Sequence, residues 1–167
     1  VPSGVALIES PEAKQYTAMR LALADEFVGM VVTANSSTLI HLARQAETHI
    51  EDLVRDISDG TLSDRYEINS SVRDLLKRRT SRKNPKRARF LEQLFNKSGE
   101  FFPKNYWPHL RVIGVWTGGS AGAYLNSLQN YYGDVAVRDH GLHASEGRMT
   151  IPLYGDSSAG VLDRGSH

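Results

Sequence analysis

The sequence predicts an α/β fold, helix-rich over its first two-thirds and closing on sheet strands with a crossover helix. Three observations predict it. Apolar residues recur at three- and four-residue intervals through much of 11–97, the period of helices with one buried face. After residue 110 the pattern changes to short runs rich in β-branched residues at 112–116, 135–137 and 149–153, too short for helices. A glycine turn and a helical stretch at 121–132 separate the first two of these runs, which is the strand, turn, helix, strand order of a crossover unit.

Each element has a local cause. An apolar segment at 5–8 precedes Ser10-Pro11-Glu12, where Ser can cap a helix whose first position tolerates Pro because its N–H would be unpaired anyway. That helix should run to about Ala24, with Tyr16, Met19 and Leu23 on a broad buried stripe. Residues 27–32 read as a buried strand. Asn35, Ser36 and Ser37 offer caps for one long helix bearing Leu39, Leu42, Ala43, Ala46, Ile50, Leu53, Val54 and Ile57, which Gly60 stops. Helices follow at about 69–79 and 86–97, with Asn84-Pro85 marking the turn between them. The aromatic stretch 101–108 carries two prolines, so it should lie irregularly against the core through its rings. The runs at 112–116, 135–137 and 149–153 are expected in one sheet, followed by a loop at 154–160 and the apolar pair Val161-Leu162.

With 167 residues, 40% hydrophobic and 23% charged, the chain falls within globular usage and one compact unit is expected. This composition excludes intrinsic disorder and collagen-like repeats. No apolar run approaches the roughly 20 residues a bilayer crossing needs, and residues 1–20 lack the pattern of a secretory signal. The absence of cysteine excludes disulfides and thiolate metal sites, which makes the cytoplasm the expected compartment. Charge is uneven. Lys77, Arg78, Arg79, Arg82, Lys83, Lys86, Arg87 and Arg89 form a run without an acid, leaving 12 basic against 19 acidic residues elsewhere. Such a run can neutralise phosphates, but it contains no aromatic residue for base stacking. The expectation is a solvated surface, with neither a nucleic-acid nor a membrane partner; a basic nucleic-acid-binding module is the reading it displaces.

Two motifs carry candidate chemistry. Gly118-Gly119-Ser120-Ala121-Gly122 satisfies G-x-S-x-G between a strand and a helix, as a nucleophile elbow does. A serine hydrolase would then draw its acid and base from Asp134, Asp139, Asp156, His140 and His143, although only 47 residues follow Ser120. The other reading of this motif is a glycine turn needed for close packing. The second motif is the polar loop 139–148, in which Ser145 offers a donor to a phosphate oxygen and Glu146 a hard oxygen ligand for Mg²⁺. Its alternative is a hydrogen-bonded surface loop. His140 and His143, and separately His41 and His49, lack the third ligand that a zinc site requires.

Several separated stretches together resemble the auxin-responsive Gretchen Hagen family of acyl-acid amido synthetases, a branch of the adenylate-forming superfamily. These are residues 47–63 with their Asp59-Gly60-Thr61-Leu62-Ser63 ending, Trp107-Pro108-His109-Leu110 leading into Val115-Trp116-Thr117-Gly118-Gly119-Ser120, and Tyr131-Tyr132-Gly133-Asp134 before Ala144-Ser145-Glu146-Gly147. The resemblance implies part of the amino-terminal domain of an adenylate-forming ligase that uses ATP and Mg²⁺ to activate a carboxylic acid and passes the acyl group to an amino acid. By the same resemblance Glu146 ligates Mg²⁺ and Ser145 bonds the α-phosphate. Thr117, Gly118, Gly119 and Ser120 form the turn against adenine or acyl group, and Leu142, His143, Ala144 and Gly147 border the nucleotide. Thr33, Tyr16 and Met19 are assigned to the acyl pocket. Leu142-His143 stands where the family often places an aromatic residue to pack on adenine. The chain starts with Val1 and ends with His167, so residues 1–167 are expected to be an internal fragment of a single large adenylating domain. The family's phosphate loop would lie upstream and its mobile carboxy-terminal domain downstream, leaving the fragment itself inactive.

Overall fold

A computed structural model describes residues 1–144, 147–155 and 157–162. Where its length predicts one compact unit, the chain forms two, interleaved in sequence. The first comprises Val1–Val28 and Leu42–Pro108, and the second Gly29–His41 and the chain from His109 onward.

The first unit is helical. A 3-10 turn at Ser3–Leu7 leads into α1 (Pro11–Leu23), where the Ser10 hydroxyl accepts the Ala13 amide at 3.3 Å. The long helix expected after Asn35 is two, α2 (Ser36–Thr48) and α3 (Ile50–Asp59), broken at His49. The His49 ring bonds Gln45 at 3.1 Å and meets the Tyr66 ring at 6.2 Å. Gly60 ends α3 in the left-handed conformation. Next come α4 (Ser70–Thr80) and α5 (Pro85–Ser98), the latter capped by Asn84. The aromatic stretch holds one helical turn, α6 (Pro103–Tyr106), with its proline at the first position, where no N–H is needed. Phe101, Tyr106 and Trp107 are buried as expected.

Polar groups inside this unit organise its loops. The Asp56 carboxylate accepts from the Tyr16 hydroxyl at 2.7 Å, the Thr61 hydroxyl at 2.7 Å and the Ser63 amide at 2.7 Å. Burial, together with Asp56, pushes the Tyr16 phenol pKa up. Buried Arg20 donates to the carbonyls of Thr61, Asp56 and Thr80. The Asp59–Ser63 ending therefore wraps around a buried hub. The basic run is solvent-exposed with one correction: Arg87 is buried and donates to the carbonyls of Leu23 and Tyr106. Lys77, Arg78 and Arg79 occupy the last turn of α4, where cations oppose the negative end of the helix dipole.

The second unit holds a three-stranded parallel sheet ordered β1 (Met30–Val32), β2 (Val112–Gly114) and β3 (Ala136–Arg138). After β2 the chain makes a 3-10 segment, Gly119–Tyr124, then α7 (Leu125–Tyr132), the predicted crossover. Ile113, Val115, Leu128 and Tyr132 are buried. Contrary to the sequence expectation, Met30 and Val32 are 63% and 59% exposed, because β-branched content reports strand propensity rather than which face is covered. The run at 149–153 also departs from expectation. Its strand β6 (Thr150–Pro152) pairs with β7 (Gly160–Leu162) in a separate antiparallel ribbon, and β4 (His143–Ala144) pairs with β5 (Gly147–Arg148). No helix among the described residues is long and apolar enough to cross a membrane.

Candidate functional site

Three chain segments of the second unit meet at the carboxyl ends of β1, β2 and β3, the side on which open α/β sheets hold ligands. The Thr33 amide donates to the Gly114 carbonyl at 3.0 Å and the Val115 amide to that of Arg138 at 3.0 Å. Beyond these bonds side chains take over. The Asp139 Oδ2 atom accepts the Thr117 amide at 2.7 Å and its hydroxyl at 2.9 Å, and Oδ1 accepts the Gly141 amide at 2.7 Å. Burial works against ionisation of this carboxyl. The Thr117 and Gly141 amides, the Thr117 hydroxyl and the nearby His140 outweigh it and hold the pKa below the ordinary value.

An aromatic cluster adjoins this junction. The Trp116 indole donates to the Gly141 carbonyl at 2.8 Å. Its ring lies 5.5 Å from His140 and 5.1 Å from His143, which are 4.9 Å apart. His140 Nε2 is 3.2 Å from the Thr33 carbonyl, so that nitrogen carries the donated proton. His143 Nδ1 is buried without a hydrogen-bond partner among the described residues. Gly118 lies so close to Ser158 that an added Cβ would sit 3.1 Å from the hydroxyl oxygen. A cleft of about 400 Å³ opens beside Thr117, lined also by Ile113, Leu128, Tyr132, Val137 and Ser158.

The structure thus gathers Thr33, Thr117, Gly118, His143 and their neighbours at one sheet end. Gly119 and Ser120 are exposed in the 3-10 segment, Leu142 is exposed, and Ala144 pairs with Gly147 across β4 and β5. Ser145 and Glu146 lie outside the described residues. Tyr16 and Met19 belong to the first unit, where they are 3% and 4% exposed and the Tyr16 hydroxyl is committed to Asp56. Packing leaves their side chains little surface for an acyl group. Trp116, Asp139 and His140 belong to the junction; the sequence places Asp139 and His140 in the polar loop 139–148 and Trp116 in the family motif, without a role of their own in the nucleotide site. The available signal was their position at the first residues past two neighbouring strands.

The same geometry weighs against the hydrolase reading. An elbow strains its serine in a sharp turn, but here the left-handed residue is Gly119, and no described residue other than glycine has positive φ. Asp139 spends its oxygens on Thr117 and Gly141, and His140 is turned to Thr33. A fluorophosphonate probe should therefore leave Ser120 unlabelled, as read by peptide mass spectrometry; labelling at Ser120 would restore the hydrolase.

Comparison with known proteins decides the family. The model for "GH3 family N-terminal domain" matches residues 1–137. The chain belongs to the GH3 family. The resemblance read from its motifs is thereby borne out. Among solved structures it is similar to a GH3.15 acyl acid amido synthetase, with a TM-score of 0.78 at 20% identity, covering 90% of this chain and 28% of that one. It is also similar to AtGH3.15 acyl acid amido synthetase in complex with 2,4-DB, with a TM-score of 0.74 at 20% identity, covering 84% of this chain and 25% of that one. The GH3 chain described here thus spans between a quarter and a third of the length of these neighbours. No curated protein matches it.

Proposed function

We propose that the chain is an internal part of the amino-terminal adenylating domain of an ATP-dependent acyl acid amido synthetase. The enzyme activates a small carboxylic acid as its adenylate, releases pyrophosphate, and transfers the acyl group to an amino acid amine. The observation that carries this reading is the junction of the Thr117–Ser120 turn and the Asp139–Gly141 loop at the ends of adjacent parallel strands, in a chain of this family. A neighbour solved with 2,4-DB supports a small-molecule acid as substrate.

The residues present fit a nucleotide. The His143 Nδ1 atom can exchange a hydrogen bond with it, and the backbone of Gly119, with nothing within 4 Å of where a Cβ would sit, allows close approach. Thr117, Gly118, Gly119 and Ser120 form one wall, and Leu142, His143, Ala144 and Gly147 the other. Thr33 stands at the same strand ends and contributes to the acyl side. Ser145 donates to the α-phosphate. Glu146 holds Mg²⁺ together with phosphate oxygens, since Mg²⁺ takes one or two carboxylates plus substrate phosphates. Bound there, Mg²⁺ supplies charge neutralisation as pyrophosphate departs. The protein works in the cytoplasm with small-molecule partners, without nucleic acid or membrane.

The test is pyrophosphate exchange into ATP by the native chain carrying this sequence, assayed with aromatic, jasmonate-like and aliphatic acids. Acid-dependent exchange is expected, and none with any acid would sink the reading. Residues 1–167 alone should show no turnover in a pyrophosphate-release assay, because the phosphate loop and the carboxy-terminal domain are supplied from outside them.

A further inference from the structure

We propose that Asp139 is a positioning residue of this site: its carboxylate ties the turn after β2 to the loop after β3 and fixes the spacing of the two nucleotide-facing bends. The inference rests on the ligase reading above. The parallel ladder supplies its last backbone bond between β2 and β3 at the Val115 amide and the Arg138 carbonyl, 3.0 Å apart. Beyond that bond the carboxylate of Asp139, one residue after Arg138, bridges to Thr117, two residues after Val115. Oδ2 takes both donors of Thr117, and Oδ1 takes the Gly141 amide. The Gly141 carbonyl in turn receives the Trp116 indole at 2.8 Å. Trp116-Thr117 on one side and Asp139-His140-Gly141 on the other are thus closed into a ring of hydrogen bonds.

Three donors on two oxygens require a carboxylate. An asparagine offers one acceptor oxygen, so it can keep the Thr117 pair or the Gly141 amide, and its NH₂ then faces a donor at the other end. Three of the roughly four acceptor sites on the Asp139 carboxylate are taken by the chain itself. Its effect on a bound nucleotide passes through Thr117 and Gly141.

Asp139→Asn, Thr117→Val and Thr117→Ser in the native chain separate these possibilities. Amide hydrogen exchange resolved at Thr117 and Gly141 reads the tie directly, and pyrophosphate exchange gives kcat and KM for ATP. Loss of a charge-assisted bond should raise exchange in Asp139→Asn by at least about tenfold at one or both of these amides, with Ile113 and Leu128 unchanged, and lower kcat/KM by at least about tenfold. Thr117→Val, which loses only the hydroxyl, should fall between, and Thr117→Ser, which keeps a hydroxyl, should restore the slow exchange at the Thr117 and Gly141 amides that Thr117→Val loses. Thr117→Val also keeps the test decisive if Asp139→Asn does not fold. Unchanged exchange at both amides overturns the proposal, as does loosened exchange with parental kcat/KM. If even the parent exchanges no pyrophosphate, the ligase reading falls, and loosened amides then uphold the tie by themselves.

Discussion

Asp56→Ala is expected to destabilise the first unit by about 3–5 kcal/mol, a large share of the ~5–15 kcal/mol that holds a domain folded. The side chain is 1% exposed and receives three hydrogen bonds. Its removal strands the Tyr16 hydroxyl and the Ser63 amide in the interior, and a buried donor without a partner costs about 1–3 kcal/mol. It also removes the negative charge that favours the protonated form of Arg20, itself 1% exposed and donating to the carbonyls of Thr61, Asp56 and Thr80. Asp56→Asn keeps one acceptor oxygen and should lose about half as much. Urea unfolding is the measurement: the midpoint should fall while the slope stays constant, since the surface exposed on unfolding is the same. An unchanged midpoint in Asp56→Ala would show that this hub contributes nothing to stability.

Local signals in the sequence were sufficient where a single residue type decides the backbone. Ser10 before Pro11, Gly60 after α3 and Asn84 before Pro85 each marked a helix end that the structure places within a residue or so. What depends on distant pairing was not legible. The run at 149–153 has the composition of a sheet strand, but its partner is β7 rather than β3; composition carries no information about partner choice. Arg20 lies inside an apolar stripe and Arg87 inside a basic run. Both look solvent-bound by type, yet each is buried because backbone carbonyls at loop ends required donors.

The candidate site divides in the same way. Glycine turns after β-branched runs place the Thr117 turn and the Gly141 loop at strand ends, and the three-strand parallel register brings those ends side by side. Asp139 was visible as the head of the polar loop and as an acid open to a hydrolase, but not as a tie, because that role depends on a partner 22 residues away. The pairing of Trp116 with two histidines likewise appears only once β2 and β3 are in register.

Under the ligase reading, Glu146→Gln should reduce adenylate formation by about a thousandfold at ordinary Mg²⁺. Glutamine keeps the length of the side chain and one acceptor oxygen, so the loss isolates the charge. At an effective dielectric near 20 one unit charge at ~4 Å contributes about 4 kcal/mol, which is close to three decades in rate. Gly141→Ala should be comparably damaging by another route. Gly141 has φ of 80°, and an added Cβ would overlap the Thr150 carbonyl oxygen and sit 2.9 Å from Pro152 Cδ. The loop would have to move, taking with it the bonds to Asp139 and Trp116. Magnesium separates the two. Raising its concentration should recover part of the Glu146→Gln activity by mass action, whereas a displaced loop has no such remedy. Parental rates for Glu146→Gln would remove the metal role, and parental rates for Gly141→Ala would show that the bend tolerates movement. Recovery of both variants by Mg²⁺ would mean that Gly141 acts through the ion rather than through the shape of the loop.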